Sequence, residues 1–502
     1  HVHRLWSEHN HRISRSVYLA SALVIFLSAI FLETIHATAI TDAVRSPFER
    51  VDLSILMLVG LAMCLVFGLL MRGHQRALTL PLVSLVVFVF LSVVVIVFPL
   101  GYGFDPFIHR ATEEYVAQFG TITPKPLYYI GQYVLVLFLH HGFQLPIQTA
   151  DTFLVPIATS LFLPIAFFSA AIHITRKKRL ALATLTGLFL IPLSSFIVTT
   201  PQSLSNLFTL LLILTSVPYV VESEKPRLWF CGILALASLA IHPIAGIPAL
   251  LYVALLCMDP TRVPTTFKPL ARAMVVLTLV IASIILPASF LINAALSGQS
   301  IAFDVSALHP WQLLQAFTIR IVFENQFNPA LDFAYLAGRN SYLLFIITAL
   351  YGWWTYRKEL SARTRMLLWM AAALVINYLI MKTAINFTFL INYERLNYAQ
   401  RLIPIIAFFL LPFFILGLAH VYINLRSRPL ILRASFVLLL VGCSVSSMYL
   451  LYPRRDAYET SHAFNTSASD ISAVHLIEDW ANQEPYLVLA NQSVSAAAIS
   501  EI

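Results

Sequence analysis

The chain has 502 residues, of which 59% are hydrophobic and only 11% are charged. Soluble domains carry about 25% charged residues, so this composition excludes a water-soluble globular protein and makes lipid the solvent of most of the chain. The net charge of +8 comes from short basic clusters between apolar runs. Such clusters are typical of a membrane topology signal, which argues against nucleic acid as a partner.

Apolar runs long enough to cross a bilayer recur along the chain, and they are continuous rather than alternating, which predicts helices and not a barrel. The stretch 228–258 is too long for one span, and His242-Pro243 interrupts it because proline breaks a helix. We interpret it as two short spans joined by an outer turn at His242, which gives about thirteen spans in total. The other runs are 16–33, 51–71, 77–100, 152–174, 180–198, 204–221, 270–292, 341–356, 365–384, 402–424 and 430–452.

The distribution of lysine and arginine predicts an inner N-terminus and an outer C-terminus. The apolar stretch 127–141 is short for a span, and if it crossed the bilayer the basic cluster at 176–179 would lie outside. The positive-inside rule therefore predicts that 101–151 is one external segment with two interfacial helices. With this topology, 21 of the 32 Lys and Arg residues lie on the inner side.

Two domains are expected. Residues 1–452 form the transmembrane domain, and 453–502 change to a polar stretch, a helix-like run and the strand-like run PYLVLA. This pattern predicts the beginning of a small outer α/β domain that the end of the chain cuts short. The fold class is accordingly an all-α polytopic membrane protein with its longest loops outside, where function is expected.

The external segment contains a helix signal with an unusual set of polar residues. Asp105 and Pro106 are typical of a helix start, with Asp105 as the N-cap, and Gly120 is typical of a helix end. Asp105, His109 and Glu113 are spaced to share one helix face. Asp105 is either a plain helix cap or a carboxylate that acts as a catalytic base or metal ligand. His109 and Glu113 are either site residues or a solvated face.

The stretch FDPFIHRATEEYVAQFG, 104–120, resembles the first external loop of GT-C class membrane glycosyltransferases. The closest pattern is the Phe-Asp-Pro-aromatic run, followed by Arg, of the catalytic subunit of oligosaccharyltransferase. Lys125-Pro126-Leu127-Tyr128-Tyr129 is similar to the second interfacial helix of protein O-mannosyltransferases, and Thr200-Pro201-Gln202-Ser203-Leu204 also resembles that class. The Trp-Trp-Asp-Tyr-Gly motif of oligosaccharyltransferases is absent, so only the broad class is carried over.

This resemblance implies a GT-C-like fold, a polyprenyl-phosphate-linked sugar as donor, and transfer at the extracytoplasmic face. It implies that Asp105 is the catalytic carboxylate, with or without a divalent metal such as Mg²⁺ or Mn²⁺. Asp105 and Glu113 are the candidate metal ligands. Arg110, which is also spaced to pair with Glu114, is a candidate substrate contact alongside His109 and Glu113.

Further candidate contacts follow from the scarcity of cations on the outer side. A lipid phosphate needs such cations, and Arg395 and Arg401 precede a span directly, although they could equally be interfacial anchors. Lys125 is a candidate for a phosphate contact or for a pair with a nearby carboxylate. His242 is either a donor contact or a turn residue, and Glu324 is a possible second carboxylate.

The sequence thus predicts an integral membrane glycosyltransferase, in the plasma membrane if the source is prokaryotic, that acts on the extracytoplasmic side. Its partners would be a polyprenyl-phosphate-linked sugar and membrane lipid. The alternative is a non-enzymatic transporter or flippase of a lipid-linked or polymeric substrate. The near absence of charged residues in the middle of the spans weighs against ion-coupled transport.

Overall fold

A computed structural model describes residues 14–73, 76–122, 128–222, 228–316, 321–388, 395–460 and 465–502. This part of the chain is predominantly helical. The helices in chain order are α1 (Arg15–Ala37), α2 (Ile55–Arg72), α3 (Arg76–Leu91), α4 (Val93–Val97), α5 (Asp105–Phe119), α6 (Ile130–Phe143), α7 (Ile147–Thr175), α8 (Lys178–Thr184), α9 (Pro201–Glu222), α10 (Leu228–Ile241), α11 (Pro243–Cys257), α12 (Lys268–Ser297), α13 (Pro310–Ala316), α14 (Pro329–Arg339), α15 (Ser341–Tyr356), α16 (Ala362–Thr383), α17 (Asn397–Gln400), α18 (Leu402–Arg426), α19 (Leu430–Leu450), α20 (Ala468–Ala481) and α21 (Gln492–Glu501).

Eight of the described helices are long and apolar enough to cross a membrane, namely α1, α2, α7, α9, α12, α16, α18 and α19. The pair α14 and α15, bent by 50° at its break, would be a ninth span. The prediction of a polytopic helical membrane protein is therefore confirmed. The count of thirteen spans and the orientation stay predictions, because α3, α10 and α11 are shorter apolar helices.

The predicted span 180–198 is not a continuous α-helix. After α8 the chain forms 3-10 helices at Leu185–Leu190 and Leu193–Phe196, and Pro192 lies between them. Most of this segment is buried by other helices, and an added Cβ at Gly187 would lie only 2.6 Å from Leu418 of α18. Irregular backbone is tolerated at membrane depth only where protein encloses it, so the apolar run reflects burial in protein here.

The predicted helix break at His242-Pro243 is confirmed. The Nδ1 atom of His242 accepts a hydrogen bond from the Ile244 backbone N–H at 3.2 Å, so His242 caps α11. A Cβ at Gly246 would lie 2.2 Å from Leu239 Cα. The two short helices α10 and α11 can therefore pack as a tight hairpin only because glycine occupies this position.

A side chain from α16 contacts the backbone of α12 next to a proline. Pro287 lies inside α12, and the Leu286 N–H donates to Asn377 Oδ1 at 3.2 Å. Asn377 Nδ2 in turn donates to the Ala282 carbonyl at 2.6 Å. These are the two backbone groups that pair in a regular helix, so the buried carboxamide contacts the helix backbone on both sides of this bond, directly before Pro287.

The C-terminal segment differs from the prediction in one respect. The run 485–490, predicted to be a strand, is exposed and forms no ladder with any described segment. A strand needs a partner for its backbone groups, and α20 packs on α21 instead, while α21 packs on α5. The described sheet is a two-residue antiparallel pair, β1 (Ala302–Phe303) and β2 (Ile385–Asn386), which ties two loops together. The proposed outer α/β domain therefore stays a prediction.

Candidate functional site

The helix α5 presents Asp105 at its first turn. The helix begins at Asp105 with Phe104 as the N-cap, so the prediction that Asp105 itself is the cap was wrong by one position. Its end at Gly120, which has a φ of 67°, is confirmed. Asp105 is exposed, and its carboxylate accepts no hydrogen bond from the described protein. Both oxygens are therefore open to a ligand.

His109 lies one turn further along α5 and faces aromatic residues of the neighbouring segment. Its Nδ1 atom is 3.0 Å from the hydroxyl of Tyr133, and its ring meets the Tyr129 ring edge-on at 5.3 Å. Burial lowers the pKa of His109 to about 4, even though the Asp105 carboxylate acts in the opposite direction. The imidazole is therefore neutral at pH 7, and it can exchange hydrogen bonds but cannot supply a cation to a phosphate.

Tyr129 is the residue at which the separate parts of the site meet. Its ring stacks on that of His242 at 5.5 Å with an interplanar angle of 19°, and its hydroxyl interacts electrostatically with both Asp105 and Arg401. Its φ of 60° is unusual for a large side chain, and such strain is often found at functional sites. The sequence pattern assigned Tyr129 no role, because a positive φ of a tyrosine leaves no trace in the sequence.

A glycine brings Tyr129 against His242. An added Cβ at Gly131 would lie 2.6 Å from Ile241 Cγ1 and 3.0 Å from two backbone atoms at the end of α10. The start of α6 can therefore approach the end of α10 closely. This contact places the α5–α6 segment beside the α10–α11 turn, which the sequence alone does not reveal.

Arg401 borders a polar cavity next to this cluster. It lies at the N-cap of α18, its guanidinium is 5.3 Å from the centre of the Tyr398 ring, and its charge acts on both Tyr129 and His242. The cavity has a volume of about 320 Å³ and opens between the start of α9, the 3-10 segment 193–196 and the α17–α18 junction. Its lining residues are Ser195, Gln202, Asn206, Asn397, Gln400, Arg401 and Pro404.

Beneath this surface lies a buried polar cluster that we call the acid pair, Glu113 and Asp151. Both residues are fully buried, and the Nε2 of the equally buried Gln132 donates to Glu113 Oε1 at 3.2 Å and to Asp151 Oδ1 at 3.3 Å. The second oxygen of each carboxyl has no partner. Burial, and then the charge of Asp151, raises the pKa of Glu113 well above its usual value. Glu113 is thus neither a solvated residue nor a surface ligand but part of the packing between α5, α6 and α7.

Arg110 is also buried, with only 6% of its surface exposed. It donates to the Leu100 carbonyl at 3.0 Å and to the Thr152 hydroxyl at 3.4 Å, and its charge acts on the acid pair. It forms no ion pair with Glu114 within the described chain, so the expected i, i+4 pair is not formed. The sequence did not single out Asp151, because an acidic residue directly before the apolar run 152–174 is typical of the end of a membrane span.

The remaining candidates are not gathered at this cluster by any described contact. Glu324 forms an ion pair with Arg339 at 2.6 Å, away from the residues above. Arg395 is partly buried beside α17 and has partners of its own. Lys125 lies outside the described residues.

A metal site built on Asp105 and Glu113 finds little geometric support. Eight residues along a helix correspond to a rise of about 12 Å, and one carboxylate is exposed while the other is buried. Among the residues that the structure describes, no group of three or more His, Cys, Asp or Glu side chains could hold a metal ion. Metal dependence therefore stays a prediction from the sequence.

Comparison with known proteins does not assign the chain to a family. No protein-family model matches the chain, and no curated protein matches it. The function is therefore inferred from the geometry of the polar cluster and its cavity.

Proposed function

We propose that this chain is a membrane glycosyltransferase that moves a sugar from a polyprenyl-phosphate-linked donor to an acceptor on the extracytoplasmic face. The donor would enter laterally from the lipid. Its phosphate would lie at Arg401, and the acceptor would be activated at Asp105.

The observation that carries this proposal is the convergence of Asp105, His109, Tyr129, His242 and Arg401. These residues come from α5, from the segment before α6, from the α10–α11 turn and from the α17–α18 junction. Stacking and electrostatic contacts link each of them to the next. A free carboxylate and a guanidinium that share one aromatic neighbour, beside an open cavity, provide both a base and an anion contact.

The chemistry follows from these two groups. The acceptor hydroxyl attacks the anomeric carbon, its proton passes to the Asp105 carboxylate, and the bond between the anomeric carbon and the phosphate oxygen breaks with its electrons on the phosphate. Arg401 stabilises the charge that develops on this leaving group. Neutral His109, held by the Tyr133 hydroxyl, positions the acceptor without adding charge.

The decisive experiment compares purified wild type with Asp105→Asn and with Asp479→Asn, a matched change at an exposed aspartate of α20. Each protein is reconstituted in vesicles with radiolabelled farnesyl-phosphate hexoses and pentoses plus a membrane extract as the source of acceptor. Loss of a general base is expected to lower transfer about 10²- to 10⁴-fold, and Asp479→Asn is expected to match wild type.

Two outcomes would contradict the proposal. Transfer by Asp105→Asn at the wild-type rate would remove the carboxylate from the mechanism. Movement of intact labelled lipid between leaflets by wild type, without cleavage of the sugar–phosphate bond, would support the transporter instead.

A further inference from the structure

We infer that the cavity beside Arg401 binds a phosphate ester with a single negative charge, joined to an uncharged, hydroxyl-rich group such as a neutral sugar. This inference rests on the proposed function for the source of the ligand and specifies its chemical class. The cavity, defined above by its seven lining residues, supplies the argument.

The charges that line the cavity set the first limit on the ligand. Among the residues that the structure describes, Arg401 is the one formally charged side chain of the lining, and no described carboxylate lines the cavity with it. The helices α9 and α18 both begin here, at Pro201 and Leu402, and helix N-termini favour an anion through their partial positive charge. A single guanidinium matches a phosphodiester, whereas a pyrophosphate would bring further negative charge without a second cation in the described lining to neutralise it.

The uncharged polar groups set the second limit. Four carboxamides, those of Gln202, Asn206, Asn397 and Gln400, share the lining with the hydroxyl of Ser195. A carboxamide offers two N–H donors and one carbonyl acceptor, which complements hydroxyl groups because each of these both donates and accepts. With no carboxylate among the described lining residues, an amino group on the sugar would find no counter-charge within the lining and would also face Arg401.

One buried acceptor atom without a hydrogen-bond partner indicates which group the ligand should provide. Gln202 Nε2 donates to Asn206 Oδ1 at 3.0 Å, which fixes the orientation of both carboxamides. The Oε1 atom of Gln202 is consequently buried without a hydrogen-bond partner. An unpaired buried acceptor is costly, so a ligand hydroxyl that reaches this oxygen from the cavity would supply the missing hydrogen bond.

The size of the cavity agrees with these limits. Small-molecule sites typically occupy about 300–1,000 Å³, and about 320 Å³ is enough for one sugar ring with its phosphate but not for an oligosaccharide.

The test measures equilibrium binding to wild type in nanodiscs by calorimetry, with no transfer required. Four probes separate the possibilities: a farnesyl-phosphate neutral hexose, the matching aminohexose ester, the pyrophosphate-linked hexose and the methyl-phosphate hexose. We expect the farnesyl-phosphate neutral hexose to bind most tightly. The methyl-phosphate hexose keeps the single negative charge and shows whether the lipid chain or the headgroup supplies the affinity.

The matched variants are Gln202→Glu, which is isosteric and adds a negative charge, and Gln312→Glu, an exposed control on α13 outside the lining. Gln202→Glu is expected to weaken binding of the neutral hexose phosphodiester about tenfold or more, and Gln312→Glu is expected to leave it unchanged. Arg401→Gln is expected to remove the preference for the phosphate ester over a neutral farnesyl hexoside.

Equal or tighter binding of the aminohexose or the pyrophosphate would overturn the inference, and so would an unchanged affinity in Gln202→Glu. These failures are distinct from failure of the proposed function. If Asp105→Asn abolishes transfer while Gln202→Glu binds normally, the cavity assignment fails and the enzyme stands. If the probes bind as expected but wild type transfers no sugar, the binding site stands and the enzyme assignment fails.

Discussion

Replacing Glu113 by glutamine should make the protein more stable at high pH. In the acid pair one carboxamide N–H₂ group serves both carboxyls, and Glu113 Oε2 and Asp151 Oδ2 have no partner. Two fully buried carboxylates cannot both ionise without a large energetic cost, so the folded state retains a proton. A glutamine side chain is uncharged at every pH and offers an N–H group to the unpaired oxygen of Asp151.

The sign of the pH dependence follows from the raised pKa of Glu113. In the unfolded chain a glutamate titrates near pH 4.3, and below that pH both states are protonated and stability is at its maximum. As the pH rises towards the raised pKa of the folded state, the unfolded chain ionises freely but the folded chain does not, so wild type loses stability. The nearby Arg110 reduces this loss, whereas the charges of Asp151 and Glu114 increase it.

The unpaired oxygens of the acid pair bound the expected change in the free energy of unfolding. A buried polar atom without a partner costs about 1–3 kcal/mol, and more when it is charged. We therefore expect the free energy of unfolding of Glu113→Gln to exceed that of wild type by about 1–3 kcal/mol at pH 9. At pH 5, where Glu113 is protonated, the two proteins should differ by less than about 1 kcal/mol.

The assay is unfolding in detergent, followed by tryptophan fluorescence across this pH range. Glu114→Gln is the matched control, because Glu114 is adjacent but exposed, and its difference from wild type should not change with pH. A Glu113→Gln protein that is less stable than wild type at pH 9 would refute the interpretation of a buried acid that resists ionisation.

Two further substitutions test the packing of the spans. Asn377→Leu removes the side-chain partner of the Leu286 N–H and of the Ala282 carbonyl in α12 and should lower the unfolding free energy by about 1–3 kcal/mol. An unchanged unfolding curve would show that α12 does not depend on this side-chain bridge. Gly417→Val should lower the free energy of unfolding by about 1–3 kcal/mol or more, because a Cβ at this position of α18 would lie 2.1 Å from the Thr348 carbonyl oxygen of α15. Gly68→Val is the control, since nothing lies within 4 Å of its added Cβ. Equal decreases in unfolding free energy for Gly417→Val and Gly68→Val would contradict a close α15–α18 contact.

Local signals in the sequence predicted several elements correctly. The break at His242-Pro243 and the end of α5 at Gly120 are confirmed, because proline lacks a backbone donor and glycine accepts a positive φ without strain. The run 180–198 was predicted to be a span but contains 3-10 helices. Hydrophobicity reports burial, and it does not distinguish burial in lipid from burial among other helices.

By itself the sequence determined that lipid is the solvent of most of this protein, and it singled out Asp105 as a candidate site residue. An apolar content of 59% with 11% charged residues is too hydrophobic for a water-soluble fold. Asp105 stands out because charged residues are scarce near the spans. Only the tertiary structure decided which polar residues meet. Tyr129 meets His242, Asp151 shares Gln132 with Glu113, and Gln202 lines a cavity with Arg401; these arrangements depend on helix packing that no local pattern encodes.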